Sequence, residues 1–402
     1  MLDDYSKNPL VPGSSPGGPT SKANPHQQWW GFCLSMFQSH KMKQMERISS
    51  INPKRLLWCC AENSMTLDQL SRETGVTLKA LEGLVSGSTG LTFNQLSKVA
   101  DYFGRGVLFF LEEDEVLEGR IHTPEFRTIA NQKPEISLYL KKLIERTEKQ
   151  RDIYLGLVED YDNEEVPLFS PPNLNDKDLK VAANEVRKWL GLGQEDSFEK
   201  YRNKLEGKGI IVFRSNGYKG SWQIPKESKI LGFNLYDKKH PLIFIRKHFS
   251  EAHQNFTLMH ELGHILLHKN SSIDDESDFS STSGIESEAN KFAGLVLVPD
   301  AYLNLINDDE KPKDVSLYQK WLKEYSVKWC VSTEVILRRL LDEGRLSKAA
   351  YLEYRQWVEG QGTRNDAGGV RLYRHREPKH MFGDAYVRTV IQSLPDEPRV
   401  AK

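Results

Sequence analysis

The chain has 402 residues, of which 38% are hydrophobic and 28% charged, with a formal net charge of −1. That size allows two or three domains and at least one sizeable core, and the near-neutral balance gives no bulk basicity that would advertise nucleic acid. Four cysteines (Cys33, Cys59, Cys60, Cys330) contain no C-x-x-C pair, which argues against a disulfide framework or a cysteine zinc site and suits a reducing cytoplasm.

Met1-Leu2-Asp3-Asp4 is acidic where a signal peptide is basic, and no run approaches the ~18 apolar residues of a membrane span. Residues 1–48 are expected to be a disordered tail, because Pro9 to Pro25 is rich in Pro, Gly, Ser, Asn and Thr. Within it, Trp29 to Cys33 reads either as a docking segment or as sequence upstream of a start at Met42 or Met45. Residues 49–112 form a helical domain. Thr66-Leu67-Asp68-Gln69 and Thr92-Phe93-Asn94-Gln95 are capping boxes. Apolar spacing predicts helices over Thr66–Thr74 and Thr77–Val85 with a turn at Gly75, a helix-turn-helix pattern, followed by a helix from Leu91 to Phe103. In its second helix Thr77 and Lys79 could reach DNA bases. From Asn52 to Gly104, however, Lys54, Arg55, Arg72, Lys79 and Lys98 are matched by Glu62, Asp68, Glu73, Glu82 and Asp101, so protein docking is equally open.

Residues 113–175 read as a linker and a long charged helix from Pro134 to Asp160. Beyond Asp176 the pattern is mixed. Helices over Val181–Leu190 and Ser197–Glu206 precede β runs at Ile210–Phe213, Ile230–Tyr236 and Pro241–Ile245. A helix from Gln254 to His268 follows, then an acidic, serine-rich loop from Asn270 to Gly284, then a helix from Ile285 to Val298 closed by Pro299. The predicted C-terminal region, 311–402, has helices over Asp314–Tyr325, Ser332–Leu341 and Ser347–Glu359 and a tail after Gly360. The expected fold is α+β and mostly helical: an all-α helix-turn-helix domain, a zincin-like peptidase domain over 176–310 with a small sheet, then C-terminal helices.

The chemistry concentrates in His260-Glu261-Leu262-Gly263-His264, an H-E-x-x-H pattern. Positions i and i+4 share a helix face, so both imidazoles can reach one zinc ion, while Glu261 lies beside it as a general base for water. A catalytic zinc needs a third protein ligand and one open position. His268 lies too far along the helix from His260, and Asn270 stands where a metzincin pattern needs histidine. Glu286 and Glu288 remain, on opposite edges of the apolar face of the next helix, and periodicity does not choose between them.

The stretch Phe256 to His268 resembles the ImmA/IrrE family of metallo-endopeptidases. So do Glu286-Ser287-Glu288-Ala289-Asn290-Lys291-Phe292-Ala293 with Leu295, Leu297 and Pro299, and Tyr201-Arg202 with Leu205-Glu206 before Gly209 to Phe213. Gly232-Phe233, Val331-Ser332, Val335 and Arg339-Leu340 extend the likeness from about Asp176 to Tyr354. The helix-turn-helix and Phe126-Arg127 look like the longer members, which join a repressor-type, XRE-like domain to the peptidase. The resemblance implies zinc held by His260, His264 and Glu288, with Glu261 as the base. Where the family often has Asn, this chain has Arg246, a candidate substrate contact and, with His253 and Tyr236, a candidate oxyanion donor. The Pro241–Ile245 strand is the expected edge for an extended substrate. The implied function is a cytoplasmic zinc endopeptidase that cuts a repressor-like regulator in a stress or mobile-element response. The competing readings are a DNA-binding regulator or antitoxin-like protein that uses the peptidase fold for sensing, and a metal-stabilised interaction module that cuts nothing.

Overall fold

The computed structural model describes residues 47–63, 65–114, 116, 137–159, 167–194, 197–217, 220–225, 227–281, 284–361 and 377–393. Most of the expected N-terminal tail, including Trp29 to Cys33, lies outside them, as do Phe126-Arg127 and the stretch just after the C-terminal helices. The chain divides into two compact units, Met1–Val116 and Leu117–Lys402.

In the first unit, β1 (Arg47–Ile48) is followed by α1 (Pro53–Glu62), α2 (Leu67–Thr74), α3 (Leu78–Val85), β2 (Leu91–Thr92) and α4 (Phe93–Phe103). β1 pairs antiparallel with β2, so residues 47 and 48, expected in the tail, belong to this folded unit. Both capping boxes form: Gln69 N donates to Thr66 Oγ1 at 3.2 Å and Thr66 N to Gln69 Oε1 at 2.8 Å, with Thr92 and Gln95 arranged likewise. A cap of this kind typically contributes ~1 kcal/mol. Gly75, at φ 67°, ends α2 in the left-handed conformation that a side chain disfavours. Leu70, Val76, Leu81, Leu84, Leu96 and Val99 close the core between these helices.

The second unit runs α5 (Leu138–Glu159), α6 (Leu179–Leu190), α7 (Phe198–Glu206), β3 (Ile211–Arg214), β4 (Ile230–Leu235), β5 (Leu242–Ile245) and α8 (Glu251–Gly263). A π-helical turn, His264–His268, continues α8; then come β6 (Ser272–Asp275), α9 (Gly284–Leu297), α10 (Thr333–Asp342), α11 (Lys348–Gly360) and α12 (Glu377–Gln392). The sheet order is β3-β5-β4-β6, with β3 and β5 parallel and β4 antiparallel to both of its neighbours. Alternation along the strands feeds two cores. Val212, Ile243 and Ile245 pack with Leu258, Met259 and Leu262 of α8 and Phe292 and Val296 of α9. Ile211, Phe213, Phe233 and Phe244 face Leu143 and Ile144 of α5 and Tyr386 of α12. Apolar residues on both faces explain why these runs read as continuous.

Three sequence expectations change here. The strand at 241–245 is not an edge: β3 and β4 take its hydrogen bonds on both sides, so it has none left for a substrate. The loop from Asn270 to Gly284 contains β6, whose Ile273 pairs with Phe233 and Asp274 with Gly232. The tail after Gly360 contains α12, which packs on β3 and α5.

Buried Arg202 and Arg214 hold α12 in place by donating to the His380 carbonyl, at 3.2 Å and 3.3 Å. Burial, then the neighbouring cations, pushes the His380 imidazole down to about 3, so it stays neutral and accepts from Arg214 at 2.6 Å. Burial raises the Glu206 carboxyl to about 8 against the pull of Arg202. This folded pKa lies above the usual 4.5, so the stabilising contribution is full below about 4.5 and is lost as the pH rises through about 8. Glu206→Gln should remove that part of the pH dependence. Thermal unfolding of both proteins between pH 5 and 9 tests this; parallel curves would contradict it.

No described helix is long and apolar enough to cross a membrane.

Candidate metal centre

His260 and His264 stand one helical turn apart where α8 passes into the π-helical turn, and their Nε2 atoms lie 3.0 Å from each other. Both side chains are buried. Two carboxylates reach them from separate elements. Glu286, in the first turn of α9, places Oε2 3.3 Å from each Nε2. Asp274, on β6, places Oδ2 3.5 Å from His260 Nε2 and 3.6 Å from His264 Nε2. The four donor atoms lie within 4.8 Å of one another.

A tetrahedral zinc ion with nitrogen and oxygen ligands at about 2.0–2.2 Å needs donors about 3.3–3.6 Å apart. The separations from each imidazole to the other donors, 3.0 to 3.6 Å, cover that range. Among the described residues Glu286 Oε2 makes no hydrogen bond, although it is buried against two imidazole nitrogens. A cation between these atoms would satisfy it. The residues present therefore fit zinc.

Burial pushes the His260 imidazole down, but Asp274 and Glu286 outweigh it and hold it at about 9. Burial likewise raises the Glu286 carboxyl, and the two histidines overcome this and draw it well below its ordinary range.

Glu261 turns towards the sheet. Its Oε2 accepts from Asn234 Nδ2 at 3.0 Å and Ser272 Oγ at 3.4 Å, while Oε1 is buried and, among the described residues, makes no hydrogen bond. Burial first, then the Asp274 charge, raises this carboxyl well above its ordinary value. Gly232 leaves room for it: a Cβ there would lie 2.6 Å from Glu261 Oε1 and 3.0 Å from Thr257 Cγ2.

The expected third donor, Glu288, is not brought to this group, whereas Glu286 of the same helix is. Two residues turn a helix by about 200°, so the rotation that aims Glu286 at the imidazoles aims Glu288 away. Glu288 is 51% exposed, and its Oε2 lies 3.3 Å from His268 Nε2. His268 Nδ1 in turn lies 2.9 Å from His264 Nδ1. His268 and Glu288 thus stand behind His264, where such partners orient a ligating imidazole.

The Arg246 guanidinium donates to the Ser228, Ile230 and Pro225 carbonyls. It braces the turn before β4 and also borders a cavity of about 600 Å³, together with His253, Phe256 and Phe279. The Phe279 ring lies 4.7 Å from that of His260, so this cavity abuts the centre. Tyr236 is fixed through its backbone N–H, which donates to Ser271 Oγ at 2.9 Å. In the other unit, Thr77 and Lys79 are exposed at the start of α3.

Sequence reasoning missed Asp274, Asn234 and Ser272, and named Gly232 only for the family likeness. The alternation of Ser272, Ile273 and Asp274 was the available signal for a strand with one polar face. Nothing in the β run around Asn234 marked its side chain as a partner for Glu261.

Residues 223–341 match the family model described as the IrrE N-terminal-like domain, Peptidase_M78. The chain is also similar to the uncharacterized immunity region protein 2 of Bacillus phage phi105, at 38% identity over 81 residues. That alignment covers 20% of this chain and 50% of the phage protein, so the chain spans about half the length of this relative.

Proposed function

Because residues 223–341 of this chain carry an IrrE N-terminal-like domain, we propose that it is a zinc-dependent endopeptidase acting in the cytoplasm on a repressor-like regulatory protein. The convergence of His260, His264 and Glu286 beside the buried Glu261 is the observation that carries this reading. Zinc held there would supply a Lewis acid that activates water and polarises the scissile carbonyl. Glu261 takes the proton of the attacking water and returns it to the leaving amine. Asn234 and Ser272 hold one of its oxygens and fix its direction.

An extended substrate lies along β6, the outer strand of the sheet, which carries Asp274, and lends side chains to the cavity beside His260. The phage relative is named for an immunity region, which supports a repressor of a mobile element as the target. The test is co-expression of the chain with the proteins encoded beside it, in zinc-replete cells. A fragment should appear with the wild type and be absent with Glu261→Gln. Intact partners throughout would count against this target class.

DNA binding by the first unit is a separate proposal, supported by the exposure of Thr77 and Lys79 at the start of its second helix-turn-helix helix. It predicts salt-dependent retardation of DNA, with a slope reduced by about one unit in Lys79→Ala. No retardation at low salt would remove it.

A further inference from the structure

Asp274 meets the imidazoles on nearly the same terms as Glu286. Its Oδ2 is 3.5 Å and 3.6 Å from the two Nε2 atoms that Glu286 Oε2 approaches at 3.3 Å. The side chain is 2% exposed, and each of these contacts falls on the edge length of a tetrahedron of zinc donors. Catalytic zinc sites keep one position for water, whereas four protein donors make a closed site.

We infer that Asp274 is a fourth protein donor, so that the resting centre is closed and becomes competent only when β6 withdraws this carboxylate. The inference rests on the zinc reading above and adds a regulatory device to it. Exchange is balanced: one carboxylate oxygen leaves, one water oxygen enters, and no covalent bond in the protein breaks. β6 is suited to such movement. It is four residues long and is the outer strand of the sheet, where it pairs with β4 across a register irregularity between Ile230 and Gly232; outside the sheet, Ser272 Oγ donates to Glu261 and the Asp275 N–H to Asp278 Oδ2. The ligand class that would shift it is an extended peptide that competes for its outer edge, where Asp278 Oδ2 accepts from the Asp275 N–H at 2.7 Å. Asp274 would then hold the protease latent until a substrate strand engages.

The test uses the full chain loaded with cobalt(II) and followed by visible absorption during titration with azide, a small anion that needs an open coordination position. The wild-type spectrum should not respond, whereas those of Asp274→Asn and Asp274→Ala should. Chelator competition should show cobalt and zinc held at least about tenfold more weakly by both variants, as expected when a contributor to a metal site is lost. Asp274→Asn keeps the side-chain shape, and melting of the metal-free proteins checks folding. A wild type that takes azide readily overturns the inference, whatever the variants do, while leaving the zinc reading intact. A folded wild type that binds neither metal defeats the zinc reading itself.

Discussion

Glu286→Ala should reduce zinc affinity by more than the about 10–100-fold that losing an outer partner of a ligand costs, while Glu288→Ala should stay within or below that range. The asymmetry follows from placement. The Glu286 carboxylate faces both imidazoles and, among the described residues, lacks a hydrogen bond on the oxygen that points at them, so its removal deletes a donor and a full negative charge. Glu288 is half exposed and reaches His264 through His268. Its loss loosens the tautomer and aim of one ligand without deleting any. Isothermal titration of zinc, or competition with a chromophoric chelator, measures both variants on one scale. Equal losses, or a greater loss for Glu288→Ala, would restore the assignment that the family resemblance implied.

Glu261→Gln should lower peptide cleavage by about 10²–10⁴-fold and leave zinc affinity near that of the wild type. Glutamine keeps an oxygen to accept from Asn234 and Ser272, so the buried side chain retains its anchors. It loses the ability to take a proton. Glu261 is not among the four clustered donors, so metal binding should survive. Cleavage of the target fragment and zinc content, measured on the same preparation, separate the two effects. Full activity in this variant would remove Glu261 from proton transfer, and zinc loss together with activity would make it a ligand.

Local signals carried much of the architecture. The capping boxes at Thr66 and Thr92 and the turn at Gly75 appear as read, because the partners involved lie within three or four residues. The β runs at 210–213 and 230–236 became β3 and β4 because strands covered on both faces must be apolar at every position. The helix from Asp314 to Tyr325 did not survive as one element: a 3₁₀ turn at Val315–Leu317 and two short helices, Tyr318–Trp321 and Lys323–Lys328, replace it.

The histidine pair and its neighbouring glutamate were legible because a five-residue motif needs only helical geometry to place its side chains. The carboxylates around them were not. Choosing Glu286 over Glu288 depends on how α9 is rotated about its axis, which packing of Phe292, Ala293 and Val296 against α8 and its neighbours settles. Asp274 depends on the pairing of a short polar strand with β4, across about forty residues of chain, and polar strands leave little hydrophobic pattern. The local spacing therefore placed the two histidines side by side, whereas the grouping of carboxylates around them emerged only when α8, α9 and β6 met in one core, since contacts distant in sequence are set by packing and register.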